Sequence, residues 1–165
     1  MSHQPVIDGL EFARTGGGLQ GEWSLADFPR LRDVLQGNAG SLRYELRGVP
    51  QEQGRPALKL RLEGTLQLTC QRCLGALEFP FRIETALLLA ATQSEIDAEP
   101  VAAEGPERIV TGREMPVHDL IEDELLLAIP IATRHEHCAG RRAGEKSATH
   151  APFAGLRGLM GGTKH

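Results

Sequence analysis

Aromatic side chains are scarce in this chain: one Trp, one Tyr and five Phe make up 4% of it. Rows of stacked rings, the usual platform for single-stranded nucleic acid, are therefore excluded as its main binding device. Cysteine is also rare. Three residues, an odd number, do not suit a disulfide framework and fit a reducing compartment. No apolar run approaches the roughly 20 residues that a membrane span requires. Met1 to Leu10 has neither the basic stretch nor the apolar core of a secretory leader. The expectation is a cytoplasmic protein with no membrane contact. Phosphate-binding and nucleophile motifs are missing too. No Gly-Lys-Ser/Thr comes after Gly16-Gly17-Gly18, so those glycines read as a loop. Ser24, Ser41, Ser94 and Ser147 stand in no nucleophile-elbow context. A non-enzymatic protein without a small-molecule substrate is the reading that remains.

What is present is a leucine-rich globular chain. Its 165 residues suffice for one ordinary domain, and 41% hydrophobic with 24% charged residues is a folded composition. Net charge is −4, unevenly spread. Met1 to Thr133 carries twelve Lys/Arg against twenty acids, or −8; Arg134 to His165 carries six against two, or +4. We therefore divide the chain into an α+β domain over 1–139 and a flexible basic tail over 140–165. The tail is expected to be disordered over 140–149, with a short amphipathic segment around Phe153, Leu156, Leu159 and Met160.

Periodicity supplies the elements. Leu58, Leu60, Leu62, Gly64, Leu66, Leu68 and Cys70 alternate with polar residues, and Leu77, Phe79, Phe81, Ile83, Thr85, Leu87 and Leu89 alternate after them. The predicted fold is α+β, a single domain whose antiparallel sheet is built on this long β-hairpin with packed helices. Gly64 is expected to mark a bulge and Pro80 to face an unpaired side. A further strand holds Leu42, Tyr44 and Leu46, ended by a turn at Gly48 to Pro50. Residues 5–13 read as extended. Ser24 is expected to cap a helix over 24–36, and residues 92–106 to form an acidic loop. A short strand over Arg108 to Thr111 precedes a helix over 117–129 between Pro116 and Pro130. Its buried stripe is predicted as Val117, Leu120, Ile121, Leu125 and Ala128, with Leu126, Leu127 and Ile129 widening the covered surface. Asp119, Glu122, Asp123 and Glu124 are placed on its exposed side.

Two groups could carry chemistry. Cys70 and Cys73 form a Cys-x-x-Cys knuckle, a spacing at which two thiolates can grip one zinc ion from a tight turn. Two more ligands are needed, and His135, His137 and Cys138 are the other dense cluster. The candidate set is Cys70, Cys73, His137 and Cys138, with His135 in reserve. Three other readings stay open: plain reduced thiols, since Cys70 continues an apolar row; a redox dithiol, although a thioredoxin-like pair needs a helix start rather than a hairpin; and His135 and His137 as solvated tail residues. The second group is Glu122, Asp123 and Glu124. Consecutive helix positions do not converge on a metal, so a solvated acidic face is expected, suited to a basic partner.

Three segments together resemble the YceD family of large ribosomal RNA subunit accumulation proteins. They are Cys70-Gln71-Arg72-Cys73-Leu74 at the hairpin tip, the helix from Val117 through Glu122-Asp123-Glu124-Leu125 to Pro130 with His137-Cys138 beyond it, and Pro152-Phe153-Ala154-Gly155-Leu156 near the end. Ala151 stands where the family usually has Asn. The resemblance implies a role in synthesis, processing or stability of large-subunit (23S) ribosomal RNA, and in ribosome biogenesis. It further implies a ribosomal protein or pre-ribosomal particle as partner, with direct rRNA contact as a second route. The competing reading is a redox or zinc-dependent protein acting outside ribosome assembly.

Overall fold

The computed structural model describes residues 4–37, 39–98 and 105–137. It is a mixed α+β fold with a mostly antiparallel sheet. The elements in chain order are β1 (Val6–Ile7), α1 (Gly9–Arg14), β2 (Gly18–Ser24), β3 (Ser41–Glu52), β4 (Arg55–Thr69), β5 (Ala76–Ala90), α2 (Gln93–Asp97), β6 (Glu107–Val110), β7 (Met115–Pro116) and α3 (Val117–Ala128). The main sheet has five strands in the order β2-β3-β4-β5-β6, and β1 pairs with β7 separately. Only the β5–β6 pair is parallel. No helix among the described residues is long and apolar enough to cross a membrane.

The alternating leucines set the register. β4 and β5 pair from Ala57↔Leu88 to Thr69↔Ala76, so that Leu58, Leu60, Leu62, Leu66 and Leu68 share one face. All five are at most 2% exposed, and they form one cluster with Leu25, Phe28, Leu31, Leu42, Leu46, Leu87, Val117, Ile121 and Leu125. Gly64 is not a bulge, because its pairs with Leu42 and Phe81 keep the register. A Cβ there would stand 3.0 Å from both the Phe81 ring and the Ser41 carbonyl oxygen, so the missing side chain makes room for Phe81. Beside Pro80, β6 covers only Leu87 to Ala90, and no described strand pairs with β5 on that side.

Four further sequence expectations are corrected. Residues 9–14 are helical, not extended, because the Asp8 carboxylate accepts the Glu11 N–H at 3.0 Å and caps α1. Ser24 does cap, but it opens only the first of two 3₁₀ turns, Leu25–Asp27 and Arg30–Asp33, which stand in place of a helix over 24–36. The break is at Phe28, whose extended φ −98°, ψ 97° is the conformation to which a residue before proline is driven. β3 runs through Gly48 to Pro50. Its register shifts between Val49 and Glu52, a bulge that accommodates Pro50, and the turn falls at Gln53-Gly54 with φ of 49° and 84°. Part of the 92–106 loop is helical, with the Thr92 hydroxyl capping α2. The boundary at 139/140 and the expectations for 140–165 lie outside the described residues.

Candidate functional site

The β4–β5 tip is held by its own backbone. Cys70 N–H donates to the Gly75 carbonyl at 2.9 Å, and Leu74 N–H donates to the Cys70 carbonyl at 2.8 Å. Closing this loop puts Leu74 at φ 60°, a left-handed conformation that costs a side-chain-bearing residue on the order of 1 kcal/mol. After Pro130 the chain returns to the tip and is tied there at three points. Gln71 N–H donates to the Thr133 carbonyl at 2.8 Å, the Thr133 hydroxyl donates to the Thr69 carbonyl at 2.8 Å, and His135 Nε2 meets the Ala76 carbonyl at 2.8 Å. A carbonyl only accepts, so Nε2 carries the proton. In the neutral ring, Nδ1 then presents a lone pair, 3.5 Å from Cys73 Sγ.

The sulfurs of Cys70 and Cys73 and one ring nitrogen of His135 lie within 4.8 Å of one another. Cys70 is fully buried and Cys73 half-buried, and both are free thiols. The backbone N–H of Cys73 pulls the Cys70 thiol down to about 5. Burial opposes this, while the N–H groups of His135 and Arg72 and the Cys73 thiol assist. The shift favours the thiolate form of Cys70. That is the ionisation a metal ligand needs, and also one that a redox nucleophile needs. Accessibility separates the two: a redox nucleophile must meet its substrate, and the depressed thiol is the buried one.

Of the sequence candidates, the structure therefore brings together Cys70, Cys73 and His135. His137, expected to be the better histidine, is exposed and outside this group. The hydrogen bonds that tie the returning segment to the tip are made by Thr133 and His135, two residues short of it. Cys138 lies outside the described residues.

The acidic helix is also rearranged relative to expectation. Only Asp119 and Asp123 stand on the exposed side of α3; Glu122 and Glu124 are 2% and 9% exposed. Glu122 accepts the Arg30 backbone N–H at 2.7 Å and the Arg30 guanidinium Nε at 2.8 Å, while Asp123 takes the guanidinium Nη2 at 2.6 Å. Two of the three acids expected to bind a partner are thus turned into the fold, and Glu122 is committed to a neighbour 92 residues away. Burial, with Glu107 and then Asp123 nearby, pushes the Glu124 carboxyl above the usual range. Leu127 is 70% exposed, so it does not widen the covered surface of α3.

One buried residue has no counterpart among the sequence candidates. His118 is 4% exposed, stacks on Phe28 at 4.3 Å and 8°, and lies 5.4 Å from Trp23, which itself stacks on Tyr44. Its Nε2 is buried without a hydrogen-bond partner among the described residues. The spacing His118, Ile121, Leu125 is a helical signal, but a histidine beside acids reads as surface.

Residues 58–160 match the model of the family described as Large ribosomal RNA subunit accumulation protein YceD. The chain belongs to the YceD family. The matched region takes in β4 from Leu58 onward, β5, the Cys70–Cys73 tip, α3, His135, His137 and Cys138, and the segment Pro152 to Leu156. α1, β2 and β3 precede it, although β3 supplies the neighbour on which β4 is registered. The YceD name ties the chain to the accumulation of large-subunit ribosomal RNA. Neither the comparison with curated proteins nor that with solved structures gives a match.

Proposed function

We propose that this protein is a non-enzymatic cytoplasmic factor that promotes the synthesis, processing or stability of large-subunit ribosomal RNA by binding within the pre-ribosomal particle. The observation that carries this reading is the family match over residues 58–160. The sequence adds that no nucleophile elbow or phosphate loop is present. Free thiols at Cys70 and Cys73 accord with a reducing cytoplasm.

The favoured contact is a basic protein of the particle. Met1 to Thr133 has a net charge of −8, which repels phosphate and attracts a lysine-rich surface. Asp119 and Asp123 remain on the outer side of α3 to meet such a surface, with Glu122 behind them fixing Arg30. Deleting the gene should lower large-subunit ribosomal RNA relative to small-subunit RNA, most visibly in slow growth, and restoring the gene should recover the ratio. An unchanged ratio under those conditions overturns the reading.

A further inference from the structure

We propose that Cys70, Cys73 and His135 are three corners of a tetrahedral site for a thiophilic divalent cation of the zinc class, which clips the β4–β5 tip to the segment leaving α3. This goes beyond the ribosomal RNA reading and does not depend on it.

The first argument is distance. Zinc bonds of about 2.3 Å to sulfur and about 2.0 Å to nitrogen, opened to the tetrahedral angle, place sulfur and nitrogen about 3.5 Å apart. Cys73 Sγ and His135 Nδ1 stand 3.5 Å apart. With all three ligand atoms inside 4.8 Å, closing the triangle on one ion asks for about 1 Å of side-chain movement.

Orientation is the second argument. A metal-ligating imidazole typically donates its other N–H to a fixed acceptor, which sets the tautomer and aims the free lone pair. His135 does this: Nε2 is committed to the Ala76 carbonyl at 2.8 Å, and Nδ1 is turned toward the sulfurs. A lone S–H···N hydrogen bond between Cys73 and His135 would account for that pair. It would not account for Cys70, whose buried sulfur joins the same triangle. Two sulfurs at the ends of one tight loop, a left-handed residue just after the second cysteine and a histidine delivered from a distant segment form a cradle for an ion, not for a pair.

The third argument is mechanical. The three ligands come from the two ends of one tight loop and from a segment 62 residues further on. Without an ion, that segment is held to the tip by hydrogen bonds of Thr133 and His135, the Cys73–His135 contact among them, with little apolar cover: Ile131 is fully exposed and Leu74 is 64% exposed. A cation bound by both sides locks them together. Three protein ligands leave one position for a water or a further side chain.

The full chain, purified under reducing conditions without chelator, is tested by elemental analysis and by titrating metal-free protein with cobalt(II). About one zinc per chain is expected, together with the visible bands of tetrahedral cobalt and thiolate-to-metal charge transfer. Cys70→Ser, Cys73→Ser and His135→Ala should each abolish both signals, and His137→Ala should leave them unchanged. Cys73 and His135 are only half-buried, so their variants keep the test valid if Cys70→Ser fails to fold. Metal-free protein with no cobalt spectrum overturns the proposal, as does metal absent from His137→Ala but kept by His135→Ala.

Discussion

Glu122 and Glu124 are two residues apart on one helix, both buried, in different surroundings. Glu122 accepts two strong hydrogen bonds from Arg30, so its charge is answered. Replacing it with Ala strands the Arg30 N–H and should cost about 2–3 kcal/mol, read as a lower denaturant midpoint. Glu124 has a carboxyl raised above its ordinary value of 4.5 by burial and then by the acids Glu107 and Asp123. A carboxyl raised in the folded state holds its proton more tightly there than in the unfolded chain. Its charge therefore works against folding above the folded pKa, and that penalty disappears as pH falls through the folded value toward 4.5. Glu124→Gln should accordingly be more stable than the parent at pH 7, with the advantage shrinking on acidification. A Glu124→Gln chain less stable than the parent at neutral pH would mean that the carboxylate has a partner.

At the scale of elements, backbone proximity decides more than hydrophobic pattern. Gly48 lies where α1 crosses β3: a Cβ there would stand 2.2 Å from the Phe12 carbonyl oxygen and 2.8 Å from Ala13 Cα. Backbone cannot rotate away, so Gly48→Ala should displace α1 and cost about 3 kcal/mol. Gly18→Ala, with nothing within 4 Å of its added Cβ, should stay within about 0.5 kcal/mol. Denaturant melts of the two variants side by side make the comparison. The same distinction explains what is legible in the sequence. β4, β5 and α3 each carry a regular row of hydrophobic side chains toward the core, so their period shows, although α3 buries His118, Glu122 and Glu124 as well. α1 is legible only through the Asp8 cap, and β2 has just Leu19 and Trp23 among glycines and polar residues. The Phe28-Pro29 break defeats a helical spacing that is otherwise regular. At the candidate site, the Cys70–Cys73 pair is visible as a motif. The choice of His135 over His137 is not, because it depends on Thr133 and Ala76 holding the returning segment, and neither interaction leaves a local trace. Arg30 as the partner of Glu122 is invisible for the same reason.

Across the whole molecule the question is where phosphate could be bound. The outer face of the sheet carries many cations, answered by acids beside them. Arg43 meets Glu63 at 3.5 Å, Lys59 meets Glu52 at 3.0 Å, Arg61 and Arg82 meet Glu84 at 3.3 and 3.4 Å, and Arg47 pairs with Glu45. The register enforces this by setting Arg43 between Glu22 and Glu63, and Arg61 between Glu45 and Glu84. Exposed pairs of this kind stabilise little, but they cancel the positive field that releases counterions from nucleic acid. Excess positive charge is concentrated in Arg134 to His165, at +4, against −8 in the remainder. Affinity for naked ribosomal RNA should therefore be weak, and it should vanish when Arg141, Arg142 and Lys146 are changed to Gln. Fluorescence anisotropy with labelled RNA at about 50 and about 200 mM salt measures it, since removing one phosphate-neutralising cation flattens the salt dependence by close to one unit of slope. Tight binding by the triple variant, with a steep salt slope, would place the RNA contact away from Arg141, Arg142 and Lys146 and weigh against a basic protein as the favoured partner.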